Sequence, residues 1–313
     1  MSMSEDGRLL TSREMASFVA LGFLRLDRAV PASVNRAFVQ SLPPFEAGGP
    51  HAGMTHYGQV LQSGSIPTVS PGCPLAEAYS PGSPLAEVLS VPEVRGAIGS
   101  LVGRDPVVDH QFLHMTFPEE TSLDGRRRSV SQATHQDSTI DVRRAFDIQI
   151  LYFPEAVTPE MGGTRYVPGS HLRTVSESSI GRYQNLRGQR HVVCEPGTVF
   201  LFHHGLWHGA GLNQSDARRL MFKLRLAPTA RQRRLWDTSD LEPDHHRQRP
   251  IFWTGDGTDR DPIHEILTRL EPWFELDTGR LEILNRIRLW RYLLEDERLD
   301  VDYWLSRLEN EYR

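Results

Sequence analysis

Between residues 107 and 228 the chain is cut into short segments rich in β-branched and aromatic residues, each closed off by turn-forming residues such as glycine and proline. Segments 107–117, 146–153, 164–167, 190–194, 198–202 and 219–226 have the length and make-up of strands. Many short strands punctuated this way fit a closed barrel or two stacked sheets. The pattern predicts a mainly β protein, a barrel or double-sheet jelly roll, with flanking α elements. Upstream, Thr11 and Glu14 have the spacing of a capping box, so a helix is predicted to open there and to end at Gly22, before a short strand FLRL. Residues 64–85 are rich in Ser, Pro and Gly and are expected to be loop. The stretch 118–133, with Arg126-Arg127-Arg128, is expected to be a second loop, either solvated at the surface or a lid touching an anionic substrate. After Pro228 the spacing turns helical at 263–270, 281–294 and 301–308. Residues 1–228 are therefore expected to form the β domain with N-terminal helices, and 229–313 a helical extension packed on it.

Composition excludes some partners. A net charge of −5 over 313 residues gives no general electrostatic reason to bind nucleic acid. No apolar run approaches the ~18 residues of a membrane span, and the opening MSMSEDGRLL lacks the apolar stretch of a signal peptide, so a cytoplasmic protein without a membrane partner is expected. Cys73 and Cys194 are too few for a disulfide framework. Lys223 is the sole lysine; the bias towards arginine looks like the coding habit of a GC-rich genome and hints at a bacterium.

The chemistry-bearing pattern is His135-Gln136-Asp137, followed much later by Trp207-His208-Gly209. Residues i and i+2 of a strand point to one side, so His135 and Asp137 can bind one metal ion. His208 would complete two imidazoles and a carboxylate on one face of an octahedron, the arrangement of non-haem Fe(II) oxygenases. An H-x-D triplet alone is weak in a chain with 13 histidines, and the surroundings strengthen it. The stretch from His208 to Arg219 reads as a hairpin; with Leu212–Ser215 as its loop, His208 faces Arg219. The last strand alternates Leu220, Phe222, Leu224 and Leu226 with Arg219, Met221, Lys223 and Arg225. Arg219 thus shares the face of His208, where its planar fork would clamp a carboxylate, and Arg218 does not. The run ending at His171 is expected to shape a tight turn, and His203 and His204 to be structural or to line the pocket, none of the three binding the metal.

These residues, with His110-Gln111 on a strand running to Pro118 and the run GGTRYVPGSH from Gly162 to His171, resemble in order the phytanoyl-CoA dioxygenase family of 2-oxoglutarate oxygenases. The resemblance spans about residues 10 to 230. It implies a double-stranded β-helix of jelly-roll, cupin-like form with packed helices. It implies Fe(II) on His135, Asp137 and His208, 2-oxoglutarate on Arg219, and dioxygen as the oxidant, with succinate and CO2 released. The family often has a serine or threonine two residues after the distal histidine, here Ala210, and a lysine before the proline, here Phe117. An aromatic residue common in the strand after H-x-D falls near Leu151. Thr164 is the expected substitute contact for the cosubstrate. Related halogenases have Gly or Ala where Asp137 stands, so halogenation is not expected.

Gln111, His114 and Gln149 are candidates to line the pocket for a small-molecule substrate. With Lys223 and Arg225 on the inner face, they favour a hydroxylated natural product, by analogy a sugar-containing antibiotic, which would be hydroxylated or oxidatively cyclised. Two other classes stand beside this one: a cupin-like metal isomerase or hydrolase that does not use 2-oxoglutarate, and a non-catalytic binding module. Arg219 argues against the first and the intact ligand set against the second.

Overall fold

The computed structural model describes residues 7–46, 52–118, 132–137, 147–173, 186–229 and 236–240. Six helices precede most of the β structure: α1 (Ser12–Leu21), α2 (Ala32–Ser41), α3 (Ala52–Ser63), α4 (Leu75–Ala78), α5 (Pro84–Ser90) and α6 (Pro92–Val102), with β1 (Phe23–Leu26) between the first two. The remaining strands are β2 (Val107–Thr116), β3 (Ile148–Phe153), β4 (Arg165–Tyr166), β5 (Arg190–His191), β6 (Thr198–His203), β7 (His208–Gly209) and β8 (Arg219–Ala227). The antiparallel main sheet has the order β1-β6-β3-β8-β2, and a second sheet the order β5-β4-β7. Two sheets so arranged are the jelly roll expected, and the six strand segments read from sequence each coincide with one of these strands to within a few residues.

The capping box of α1 forms as predicted: the Thr11 hydroxyl accepts from the Glu14 amide, and the Glu14 carboxylate accepts from the Thr11 amide at 2.8 Å. Gly22 ends the helix in the left-handed region at φ 76°, where a Cβ would also strike the ring of His171. Residues 64–85 are not loop throughout. They include α4 and the start of α5, whose first turn is capped by the Ser83 hydroxyl accepting from Ala86 N at 3.3 Å.

Strand alternation divides the protein into two interiors. Ile150, Tyr152, Leu201, Phe222 and Leu224 face the helices and pack with Phe18, Phe38, Val88 and Leu101. Leu151, Phe153, Phe200 and Phe202 face the other way, into the barrel, and meet Phe23 and Tyr166. Burial of each such side chain contributes about 1.5–3 kcal/mol before the entropy of ordering is set against it.

Residues 236–240 return beside α1. Asp237 N donates to Leu10 O at 2.7 Å, and the Asp240 carboxylate accepts from the amides of Ser12 and Arg13 at the helix start. The predicted helices at 263–270, 281–294 and 301–308, and with them the proposed extension, lie outside the described residues, as does the arginine run at 126–128.

Candidate metal centre and active site

The site is assembled where the segment 132–137 meets β7. His135 N donates to His208 O and His208 N to His135 O, both at 2.9 Å, an antiparallel bridge that sets the two imidazoles side by side with centroids 4.5 Å apart. Asp137, two residues on, turns Oδ1 to within 3.4 Å of His135 Nε2 and 3.7 Å of His208 Nε2. The three ligand atoms lie within 4.8 Å of one another, and among the described residues this is the one such group able to hold a cation.

The rings are oriented by backbone. His135 Nδ1 lies 2.9 Å from Ala133 O and His208 Nδ1 2.8 Å from Leu206 O. Carbonyls only accept, so each Nδ1 carries the hydrogen and each Nε2 is turned towards the Asp137 carboxylate. Burial brings the His208 pKa down to about 4, although Asp137 pulls the other way. Burial acts on His135 too, but its bonds to Asp137 and Ala133 outweigh it and hold its pKa above the ordinary value. Burial alone would raise the Asp137 carboxyl; the His135 bond and the charges of His208 and Lys223 instead hold it far below the usual carboxylate range. A set of this kind binds a metal in competition with protons. Two imidazoles, one carboxylate and fixed ring orientations fit Fe(II).

The three residues open on a cavity of about 200 Å³, lined also by His114 and Thr116 of β2, Leu151 of β3, Thr164, Ala210, and Arg219, Met221 and Lys223 of β8. Arg219 is buried, donating to the carbonyls of Met161 and Gly162; burial lowers its pKa to about 10, so it stays charged. The predicted hairpin that placed it does not exist. β7 pairs with β4 in the second sheet, whereas β8 lies between β3 and β2 in the main one, so the chain crosses between sheets from 210 to 218. Arg219 reaches the cavity because it opposes Thr116 on the inner face. Arg218 points to the helices, with Nη1 2.8 Å from His56 Nε2 and the guanidinium over Phe45.

Of the pocket candidates, His114 lines the cavity; its Nε2 is buried without a hydrogen-bond partner, and burial, then Lys223, brings its pKa to about 4. Gln111 must be corrected: it opposes Leu224 on the helix side and bonds to the Tyr79 hydroxyl and Pro67 carbonyl. A strand cannot turn residues 111 and 114 to one face. Gln149 is on the inner face, opposite Arg225 and Phe202 and fully buried, but beyond the residues that line the cavity. Thr164 lines it, its hydroxyl directed at Met221 Sδ at 3.6 Å. Lys223 and Arg225 are inward as expected but already engaged, Lys223 with Asp137 and Arg225 with Asp147 at 2.8 Å. Phe117 points outward, its ring 5.2 Å from that of Phe45. The sequence reading missed Thr116, whose Oγ1 is buried in the cavity wall beside Arg219 without a hydrogen-bond partner; counting by two from His114 would have found it. His171, His203 and His204 stack on one another away from the cavity.

On a jelly roll, two imidazoles and a carboxylate gathered at a cavity with a buried arginine suit a non-haem iron, 2-oxoglutarate-dependent oxygenase. Comparison with known proteins agrees. Residues 80–221 match the model of the phytanoyl-CoA dioxygenase family. An uncharacterized protein of Mycobacterium tuberculosis is 30% identical over 202 residues, 62% of this chain and 68% of its own. Dioxygenase cdmA of Talaromyces verruculosus is 41% identical over 76 residues, 23% of each chain. HygX from Streptomyces hygroscopicus, solved with nickel and 2-oxoglutarate bound, aligns over 71% of this chain and 88% of its own at 15% identity, with a TM-score of 0.49. The chain belongs to the phytanoyl-CoA dioxygenase family, whose cofactor is Fe(II) and whose cosubstrates are 2-oxoglutarate and dioxygen. Among the described residues no helix is long and apolar enough to cross a membrane.

Proposed function

We propose that His135, Asp137 and His208 hold Fe(II), that Arg219 holds the distal carboxylate of 2-oxoglutarate, and that the enzyme hydroxylates or oxidatively cyclises a small hydroxylated natural product. The observation that carries this reading is the grouping of three ligand atoms within 4.8 Å at the wall of a cavity that also holds a buried arginine. Iron with 2-oxoglutarate and dioxygen supplies C–H oxidation, with release of succinate and CO2. The residues of the chain do the rest. Ala133 and Leu206 fix the imidazoles, Arg219 offers a planar fork to a carboxylate, and Thr116 brings an unpartnered hydroxyl to a cavity to which Ala210 brings none. With iron bound, the Asp137 carboxylate would take the place a halide ligand needs, which favours oxygenation over halogenation.

For substrate class, Lys223 and Arg225 no longer count, since each is taken up by an aspartate. The support is instead the strip His110, Phe112 and His114 along β2. Phe112 is 52% exposed, with ring centroids 5.4 and 6.0 Å from its two neighbours, and the unpartnered His114 Nε2 lies below. An apolar ring face beside an unsatisfied polar atom suits a ring carrying hydroxyl groups, a glycosylated product included.

Anaerobic Fe(II) binding and substrate-free conversion of 2-oxoglutarate to succinate test the assignment. His208→Ala is expected to lose both; full iron occupancy in that variant would sink it. Stimulation of succinate release by hydroxylated ring compounds, and not by their deoxy counterparts, tests the substrate class.

A further inference from the structure

We propose that Lys223 is a positioning residue of the metal centre: its ammonium holds the outer oxygen of Asp137, so that the carboxylate presents one oxygen to the cation. This rests on the reading of His135, Asp137 and His208 as iron ligands. Of the 35 lysines and arginines in the chain, Lys223 is the single lysine. A chain that uses arginine everywhere else has placed its one ammonium at a buried position of β8, on the inner face, with Leu151 on one side and Phe112 on the other.

The two oxygens of Asp137 are divided between partners. Oδ1 faces both imidazole Nε2 atoms at 3.4 and 3.7 Å, and Oδ2 accepts from Lys223 Nζ. Backbone pairing of this segment with β7 is made at His135; two residues further on, side chains of β8 take over. Arg225 Nη1 approaches the Asp137 carbonyl at 3.4 Å, and its Nη2 is committed to Asp147 at 2.8 Å. The outer oxygen of the carboxylate is therefore held by Lys223, while the inner one faces the imidazoles.

An arginine could not do the same work. Its planar fork matches a carboxylate with two parallel bonds, and in this place it would draw Oδ1 away from the imidazoles. A compact ammonium binds one oxygen and leaves the other free. A neutral side chain would strand Oδ2 without its partner. Outer partners of metal ligands are worth about 10–100-fold in metal affinity, and that is the size of effect expected here.

The test is calorimetric titration of the full chain with Co(II), which substitutes for Fe(II) in air. Lys223→Met and Lys223→Arg are both expected to weaken binding by about 10–100-fold. The arginine variant decides the matter, because it keeps the charge and changes only its shape. If Lys223→Arg binds Co(II) as the native protein does while His208→Ala does not, the proposal is overturned; if both bind as native, the ligand assignment beneath it fails instead. A second measurement does not depend on how the Lys223 variants fold. Protein grown on 13C-lysine gives one side-chain Cε resonance, and Asp137→Asn is expected to move it in the metal-free state. An unmoved resonance means that the ammonium does not hold Asp137.

Discussion

The main sheet has two faces, and neighbouring residues on its strands meet opposite fates. On the helix side, Arg218 rests on His56 and Phe45, Gln111 is tied to Tyr79 and Pro67, and His203 lies between the rings of Phe18 and His171. On the barrel side, Arg219, His114 and Thr116 line the cavity with His135, Asp137 and His208. The helix side also keeps buried polar atoms without a partner, His56 Nδ1 and His171 Nδ1 among them, but neither residue lines the cavity. On the barrel side, His114 Nε2 and Thr116 Oγ1 are buried and unspent. Since a buried polar atom without a partner costs ~1–3 kcal/mol, a cavity wall that keeps two of them together is organised for something that binds there.

The largest expected effect separates two adjacent arginines. Arg219→Ala should raise the 2-oxoglutarate Kd by about 10–100-fold, the worth of charge-assisted bonds to a carboxylate. Arg218→Ala should change it less than about twofold, because its guanidinium lies on the far side of the sheet. Titration of each variant with 2-oxoglutarate checks this, and a larger loss in Arg218→Ala would reverse the assignment of the two faces.

A smaller effect concerns histidines of the helix side. His171 is buried, with Nε2 3.0 Å from Val19 O and its ring 4.8 Å from that of His203. Burial, then the charge of His204 against the help of Val19, brings its pKa to about 4, and His203 lies well below its ordinary value for the same first reason. The unfolded chain takes up protons near pH 6.5 and the folded one does not. Stability is therefore intact above that pH and is lost as pH falls from 6.5 towards 4. His171 alone should cost about 2 kcal/mol between pH 7 and pH 5. Urea unfolding at the two pH values should show a loss in native protein that exceeds the loss in His171→Gln by about that amount; equal losses would mean that water reaches the ring.

Much of this was legible in sequence, and the failures have physical causes. The phase of β8 follows from strict alternation, and H-x-D on an extended segment brings two ligands to one side whatever the sheet. Chain proximity, by contrast, does not say which strands pair. His208 and Arg219 are close enough for a hairpin, and the jelly roll sends them to different sheets instead. The alternation that placed Arg219 would also have separated Gln111 from His114, had it been carried onto β2. Engagement of Lys223 by Asp137 brings together positions 86 residues apart and left no local mark; the single lysine in an arginine-rich chain was the signal available.

The last contrast is between Thr116 and Phe117. One faces the cavity beside Arg219 and the other packs on Phe45 from the far side of the same strand. Phe117 stands where relatives often have a cosubstrate lysine, and its phase here removes it from that role. Thr116 Oγ1 has no hydrogen-bond partner in the protein, and Thr116 stands opposite Arg219, whose guanidinium would hold the distal carboxylate. One neutral hydroxyl bond is worth ~0.5–1.5 kcal/mol, so Thr116→Val, which keeps the shape, should raise the KM for 2-oxoglutarate by up to about tenfold. Thr116→Ser should restore most of it, because the lost group is the hydroxyl and not the methyl. Phe117→Leu should leave that KM unchanged and lower thermal stability, since it trims the packing against Phe45. Steady-state kinetics of substrate-free succinate formation, run beside thermal unfolding, separates the two residues. A Thr116→Val enzyme with the native KM would mean that the hydroxyl serves the substrate or a water and not the cosubstrate.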